Sequence, residues 1–532
     1  MFYKDFEIYM SLQNSLYDCK DLNNLVKSFG NYAQLDQNLK KILILQLIFR
    51  FSIIKPSNIN YYVDFIINNI EFIPKTFFFD QLIKFLQLPI HSLHKISLYY
   101  MIYKLIEAKY SSISELLSLF ENDTIFHIWL APEIEEINPG SFTQLKNINK
   151  YLLQKKKSFF ENNFKLLKVF RSEQGNEDPI AEILRNDDIE ALQDCFTNPN
   201  FEINKTIQFS IFFKEFFLQR NPTLIQIAAY YKSYKCFNFL RLNGVDLLKE
   251  DSLGRKLTFF AVLGGDSKIL DICEELELDF DGCLNVCVQF HNIELLKWLI
   301  EIKKVTKIEE AILESSLDND IECLDYLINI STDNNVVNDK NSNVFHMACA
   351  RNNFMIIKYL NHFVIDVNLL NINDVTPLML AILRNHNESV NELLNDNSLD
   401  LEKKNSKGMS ALMISISNSN IDTIKKLISK GADINTKDNF GFSCLHQSII
   451  NRRIDCLKYF LENEKVDINI QANDEWTPLH YAAQFGYADI TKILLNHNEI
   501  KLIYDENGES PIEIAKKNKR YEVYELLVNH FK

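Results

Sequence analysis

The chain has 532 residues, 47% of them hydrophobic and 24% charged, a globular balance with room for several domains. With 57 basic against 71 acidic residues the formal charge is −14, and no long basic run offers a footprint for a phosphate backbone, so nucleic acid is excluded as an expected partner. Thirteen glycines in the whole chain argue against folds that cradle phosphates in glycine-rich turns.

The N-terminus, Met1-Phe2-Tyr3-Lys4-Asp5-Phe6-Glu7, meets acidic residues at once and lacks the basic region and apolar core of a secretory signal. Apolar residues then recur at helical spacing over 39–54, 61–70, 77–86, 96–106 and 142–170, without strand-like alternation. The most apolar stretch, 42–54, contains Gln46 and Arg50 and falls short of the ~20 residues a bilayer requires, which predicts a buried core helix and no membrane span. Pro132 and Pro139 bracket a loop carrying Glu133, Glu135 and Glu136. Residues 1–171 are therefore expected to form a helical N-terminal domain that shields the near end of a repeat row beginning after it. The glycosylation patterns at Asn122 and Asn387 read as chance matches, and ten cysteines without paired spacing fit a reducing, cytoplasmic setting.

From 178 onward the pattern changes. Ile189, Leu192 and Phe196 keep helical spacing, and Glu202-Ile203-Asn204 resembles an exit segment that recurs later, so 178–220 reads as a divergent first repeat with an insertion over 206–220. Beyond it a period near 33 residues governs the chain. Anchors fall at Thr223, Lys256, Gly282, Glu310, Asn343, Thr376, Ser410, Ser443, Thr477 and Ser510, spaced by 33, 26, 28, 33, 33, 34, 33, 34 and 33. The two short spacings predict trimmed connecting loops after Lys256 and Gly282.

Three columns support this register. Five residues past the anchors every residue is small, from Ala228 to Ala515. Two residues past them all are apolar except Thr258, and seventeen past stand Leu240, Cys273, Leu299, Leu327, Leu360, Leu393, Leu427, Phe460, Leu494 and Leu527. Small residues let helices approach, and the apolar ones fill the seam between neighbours. A hydroxyl at the anchor suits a helix N-cap, and Pro377, Pro478 and Pro511 suit the first helical position. Gly244 and Gly431 suit helix C-termini, while Gly254, Gly408, Gly441 and Gly508 suit a turn. Short extended exits are expected at Asp366-Val367-Asn368, Asp433-Ile434-Asn435 and Asp467-Ile468-Asn469. Each unit is a helix, a turn, a second helix and a projecting hairpin.

With Thr477-Pro478-Leu479-His480-Tyr481-Ala482-Ala483 at its heart, this array resembles ankyrin repeats over 221–532. Units before Asn343 depart from the pattern, because Gly282 and Glu310 replace the anchor hydroxyl and the prolines are missing. The run Ile183-Leu184-Arg185-Asn186-Asp187-Asp188-Ile189, followed by Leu224-Ile225-Gln226-Ile227-Ala228-Ala229, is similar to the opening region of ankyrin proteins expanded in some protists. Their helical N-terminal domain has no known function.

Groups that might carry chemistry read as structural. Cys236, Cys323 and Cys456 fall thirteen past their anchors, where other units carry Leu295, Ile269, Ile356 or Ile490, and behave as small apolar residues. Cys283 and Cys287 lack a second pair for a metal, and His91 with His94 is too little for one. His346, His446 and His480 share one repeat column and belong to its hydrogen bonding. Lys155-Lys156-Lys157 reads as a solvated helix face. No cofactor, metal site or small-molecule substrate is indicated.

The resemblance places partner contacts at hairpin tips and at the ends of first helices. The tips include Ile372, Asn373, Val375, Lys407, Met409, Phe440, Phe442, Asp474 and Trp476. The helix ends include Leu383, Arg384, Ile450, Asn451, Gln484 and Phe485. Aromatic residues there are typical binding anchors, so Met409, Phe440, Phe442, Trp476 and Phe485 form the expected partner-binding set, against packing on neighbouring hairpins. The expected protein is all-α, an ankyrin-repeat solenoid of about ten to eleven units behind a helical capping domain. It is expected to act as a non-enzymatic scaffold or adaptor for a protein partner. An enzyme, or an enzyme's regulatory subunit, with its activity in 1–171 is the alternative. A ubiquitin-ligase adaptor is disfavoured, because the sequence stops within the last repeat's helix.

Overall fold

The computed structural model describes residues 37–54, 59–68, 95–108, 178–208, 220–418 and 420–532, with 78, 79, 81, 82, 110, 130 and 218. Their regular elements are all α-helices, beside one isolated bridge between Thr206 and Thr223. Two compact units divide the chain, Met1–Lys307 and Ile308–Lys532.

In the first unit, helices Gln37–Ile54, Ile59–Asn68 and Lys95–Glu107 pack on one another. Ile44, Leu45, Leu47, Ile48 and Phe49 are all inaccessible, so the first of these helices is buried nearly all round, as its composition requires. Phe49 meets Phe78 edge-on at 5.4 Å. No described helix is long and apolar enough to cross a membrane. The expected helix over 142–170, most of that over 77–86, the 132–139 loop, His91, His94 and the Lys155 triplet lie outside the described residues.

The divergent first repeat is a helix pair, Pro179–Arg185 and Ile189–Phe196. Asp178 and Asp188 cap the two helices by accepting from Ile180 N–H and Ala191 N–H, both at 3.0 Å. Pairs of the same kind continue to the C-terminus. First helices stack side by side: Leu224–Tyr230, Leu257–Gly264 and Cys283–Gln289 in the first unit, and seven from Glu309–Leu317 to Pro511–Lys517 in the second. Gly264 shows how close the approach is, since a Cβ there would lie 2.2 Å from Ala229 O.

Nine of the ten anchors stand at N-caps of first helices. The exception is Glu310, the second residue of Glu309–Leu317, whose cap is Ile308, so this helix starts early while its buried seam residues Ser315 and Leu327 keep the register counted from Glu310. Caps at Lys256, Gly282 and Ile308 lie 26 residues apart each time (282 − 256 and 308 − 282), while the buried columns Ala261, Cys287 and Ser315 keep spacings of 26 and 28. Every residue of the small column is buried, and every residue seventeen past the anchors is fully inaccessible. Each large apolar side chain so buried contributes ~1.5–3 kcal/mol. Thr258, the polar exception, donates its hydroxyl to Asp279 O at 2.6 Å.

The hairpins share one design. In seven of them the residue five before the cap donates its N–H to the carbonyl just before the cap, as in Asp438 to Phe442 (3.0 Å) and Ala472 to Trp476 (2.9 Å). The residue two before the cap takes positive φ, be it Gly408 (74°), Gly441 (78°) or, without glycine, Glu475 (59°). At Gly441 a Cβ would also strike Asn473 N at 2.5 Å, because the next hairpin lies against it. The Asp-x-Asn exits are tight turns rather than extended segments: Asp366, Asp433 and Asp467 each accept the N–H two residues on. Asn368, Asn435 and Asn469 then reach across, each accepting a backbone N–H from the following repeat (2.7 to 3.0 Å) and donating to one of its carbonyls (2.7 to 2.8 Å). Between Glu275 and Cys283, and between Glu301 and Glu309, the connectors are too short for a hairpin. The boundary between the two units falls in the second of these.

Candidate partner-binding surface

Phe440 and Phe442 project from the hairpin before helix Cys444–Ile450, and Trp476 from the next hairpin. Backbone bonds fix the order of the row: Asn439 N–H donates to Lys407 O and Asn473 N–H to Phe440 O, both at 3.0 Å. His446 ties the two aromatic hairpins together. Its Nδ1 accepts the N–H of Ser443 at 3.1 Å, which leaves Nε2 to donate to Trp476 O at 3.1 Å. His480 repeats this one unit on, from Thr477 N–H (3.0 Å) to Glu509 O (3.4 Å). His346 occupies the same place in its own repeat, between Asn343 N–H and Val375 O. Burial drives the His446 imidazole down to about 4, so the neutral ring needed for this bridge is the stable form.

Tyr481, which sequence reasoning overlooked, joins the set. Its buried ring lies 5.4 Å from Phe442, 5.1 Å from Trp476 and 6.4 Å from Phe485, with edge contacts to the first two. Phe440 stacks on Phe442 at 5.9 Å, Trp476 on His480 at 5.9 Å, and Phe485 on Tyr487 at 5.4 Å. The Tyr481 hydroxyl donates to Asp474 Oδ2 at 2.6 Å, and burial together with that bond pushes its phenol well above the ordinary range. The signal available was local. Tyr481 precedes Phe485 by four residues, so both share one helix face, while sibling repeats carry Met347, Leu380 or Gln447 there.

Four of the five expected binding residues are thus brought into one ring cluster. Phe440 is 63% exposed and Phe485 38%, while Phe442 and Trp476 are half-buried beneath them. Trp476 is both packed and presented: its indole N–H donates to Asp505 Oδ2 at 3.0 Å. Burial alone would raise the Asp505 carboxyl, but hydrogen bonds from Glu509 N–H and this indole hold it below the usual range. Met409 stands apart, half-buried one hairpin away, its carbonyl accepting from Asn405 N–H at 3.1 Å. Among the other tips and helix ends, Ile372, Asn373, Lys407, Asp474, Leu383, Arg384 and Asn451 are exposed, whereas Val375, Ile450 and Gln484 are half-buried.

Cys283 and Cys287 are buried, and burial pushes the Cys283 thiol up to about 12, far from a thiolate. Cys236, Cys323 and Cys456 are buried as small apolar groups. Among the described residues no group of three or more His, Cys, Asp and Glu side chains is placed to hold a metal ion.

The comparisons with known proteins bear on the same stretch. The family model described as ankyrin repeats (3 copies) matches residues 312–405, 384–472 and 445–532. Residues 312–532 are ankyrin repeats. The matched region contains the whole aromatic cluster, and repeats of this family mediate protein–protein interaction. An ankyrin repeat protein of fowlpox virus is 29% identical over 199 residues, covering 36% of this chain and 48% of that one. A tyrosine-protein kinase of Hydra vulgaris is 28% identical over 158 residues, covering 29% and 21%. The chain thus spans less than half the length of either relative. Among solved structures, the ankyrin repeat domain of Bcl-3 is similar with a TM-score of 0.38 and 20% identity, covering 42% of this chain and 98% of that one.

Proposed function

We propose that this protein is a non-enzymatic scaffold or adaptor that docks a protein partner on the ankyrin-repeat surface formed by Phe440, Phe442, Trp476, Tyr481 and Phe485. One observation carries the reading. A ring cluster partly open to solvent is held in place from beneath, by the His446 bridge between hairpins and by the buried Tyr481. Rings held this way lose little conformational freedom on binding, so more of their contact energy reaches the complex. On this reading 221–532 presents the binding surface, 178–220 opens the repeat row and 1–171 closes its end, in the cytoplasm. Met409 belongs to the rim.

The test is affinity capture from cell extract with the full chain against Phe442→Ala combined with Trp476→Ala. Losing two anchors of ~2 kcal/mol each should deplete captured partners more than tenfold. Unchanged partners at unchanged yield would refute the aromatic surface as the docking site.

A further inference from the structure

The hairpins beside the aromatic cluster differ in charge in a fixed order. The hairpin 402–409 carries Lys403, Lys404 and Lys407 against Glu402, a net of +2. The next, 435–442, balances Lys437 against Asp438 and contributes Phe440 and Phe442. The hairpin 469–476 carries Asp474 and Glu475 without a cation, and 502–509 carries Asp505, Glu506 and Glu509, nets of −2 and −3. Backbone bonds make the first three immediate neighbours, and the Trp476 indole joins the third to Asp505 of the fourth. Lys404, Lys407, Glu475 and Glu506 are exposed. Asp505 is buried and Glu509 pairs with Lys517 at 2.9 Å, so the outward charges beside the rings are Lys404 and Lys407 on one side and Glu475 and Glu506 on the other.

The hairpin at the acidic side of the rings also breaks the rules its siblings obey. Asn371, Asn405, Asp438 and Asp505 each accept two N–H groups of their own hairpin, but Ala472 stands in that position here. Asp474 instead accepts Trp476 N–H at 3.1 Å, and Glu475 holds the positive φ taken in sibling hairpins by Gly408, Gly441 and Gly508 and, without glycine, by Asn341 and Asp374. Two carboxylates therefore stand beside Trp476, one of them, Asp474, held by Trp476 N–H and the Tyr481 hydroxyl.

We infer that the partner segment is a bipolar one: acidic residues facing Lys404 and Lys407, a large apolar side chain seated on Phe440 and Trp476, and basic residues facing Glu475 and Glu506. This rests on the docking surface proposed above and adds its chemistry. Three steps between stacked repeats, each of roughly 10 Å, span roughly 30 Å. At about 3.3 Å per residue, an extended segment of about nine or ten residues covers it. Complementary ends set the orientation and exclude segments of one charge sign.

The probes are four synthetic ten-residue peptides with a central Trp-Leu pair: acidic-to-basic, basic-to-acidic, all-acidic and all-basic. Binding to the full chain is read by fluorescence anisotropy at low and at physiological salt. One of the two bipolar orders should bind about tenfold or more tighter than either single-sign peptide, with affinity falling as salt rises. Lys404→Glu with Lys407→Glu should weaken that peptide by about tenfold, as should Glu475→Lys with Glu506→Lys. All four positions are exposed, and since Lys404 Nζ also donates to Lys437 O at 2.7 Å, circular dichroism checks that each variant keeps the fold. Equal binding by a single-sign peptide, indifference to charge reversal, or no binding by either bipolar peptide overturns the inference. Phe442→Ala with Trp476→Ala separates the two readings. If that variant loses partner or peptide while charge reversal changes nothing, the docking surface stands and its bipolar chemistry falls. If that variant binds as the unaltered chain does, the surface itself falls.

Discussion

His446 binds two hairpins only while neutral, which gives its repeat a defined response to acid. Its pKa of about 4 in the fold lies below the ~6.5 of a free imidazole, so the unfolded chain takes up a proton that the folded chain refuses. The stability it contributes is complete above about pH 6.5 and drains away as pH falls toward 4, a loss on the order of 3 kcal/mol. The chain contains its own isosteric control. In the first unit Gln226 fills the same place, accepting Thr223 N–H with Oε1 at 2.8 Å and donating from Nε2 to Lys249 O and Arg255 O. His446→Gln should therefore keep both hydrogen bonds and remove this residue's share of the acid step, while His346 and His480, which burial also holds below the ordinary imidazole range, keep theirs. Urea midpoints followed by circular dichroism at about pH 7.5 and about pH 4.5 check this, and parallel losses in both proteins would place the acid sensitivity elsewhere.

The element that stabilises the array is the helix pair, because each pair buries one seam against the next. Leu494 sits in such a seam, fully inaccessible in helix Ala488–Leu495, which packs on Tyr521–His530. Leu494→Ala should cost ~2–5 kcal/mol, and hydrogen exchange should accelerate first in the repeats anchored at Thr477 and Ser510. Equal acceleration over the whole second unit would show that the repeats there unfold as one. This was also the level most legible in the sequence. Helix seams repeat at fixed distance from the anchors, so Ala482 and Leu494 announce their burial by position alone. Three things were not legible. Ile308 offers no side-chain acceptor for a cap, so the anchor slid two residues to Glu310. The Asp-x-Asn exits alternate as a strand would, yet the aspartate captures the N–H two residues on and closes a turn. Tyr481 lies between a capping histidine and two alanines, and its role depends on rings that arrive from two different hairpins.

Across the whole molecule the chain divides into two compact units, and the connector from Glu301 to Glu309 is too short for a hairpin, as is that from Glu275 to Cys283. If each compact unit unfolds cooperatively, calorimetry should resolve two transitions, with Leu494→Ala lowering only one. A single transition displaced as a whole by Leu494→Ala would contradict this. The shortened repeats also have a consequence for how such a protein diversifies. They keep both helices and their buried seam residues within 26 to 28 positions, so the projecting loop is an accessory and the helix pair is the heritable minimum. Selection can lengthen, delete or recharge that accessory without disturbing the interior, and new specificities arise at the rim while the stack beneath stays the same.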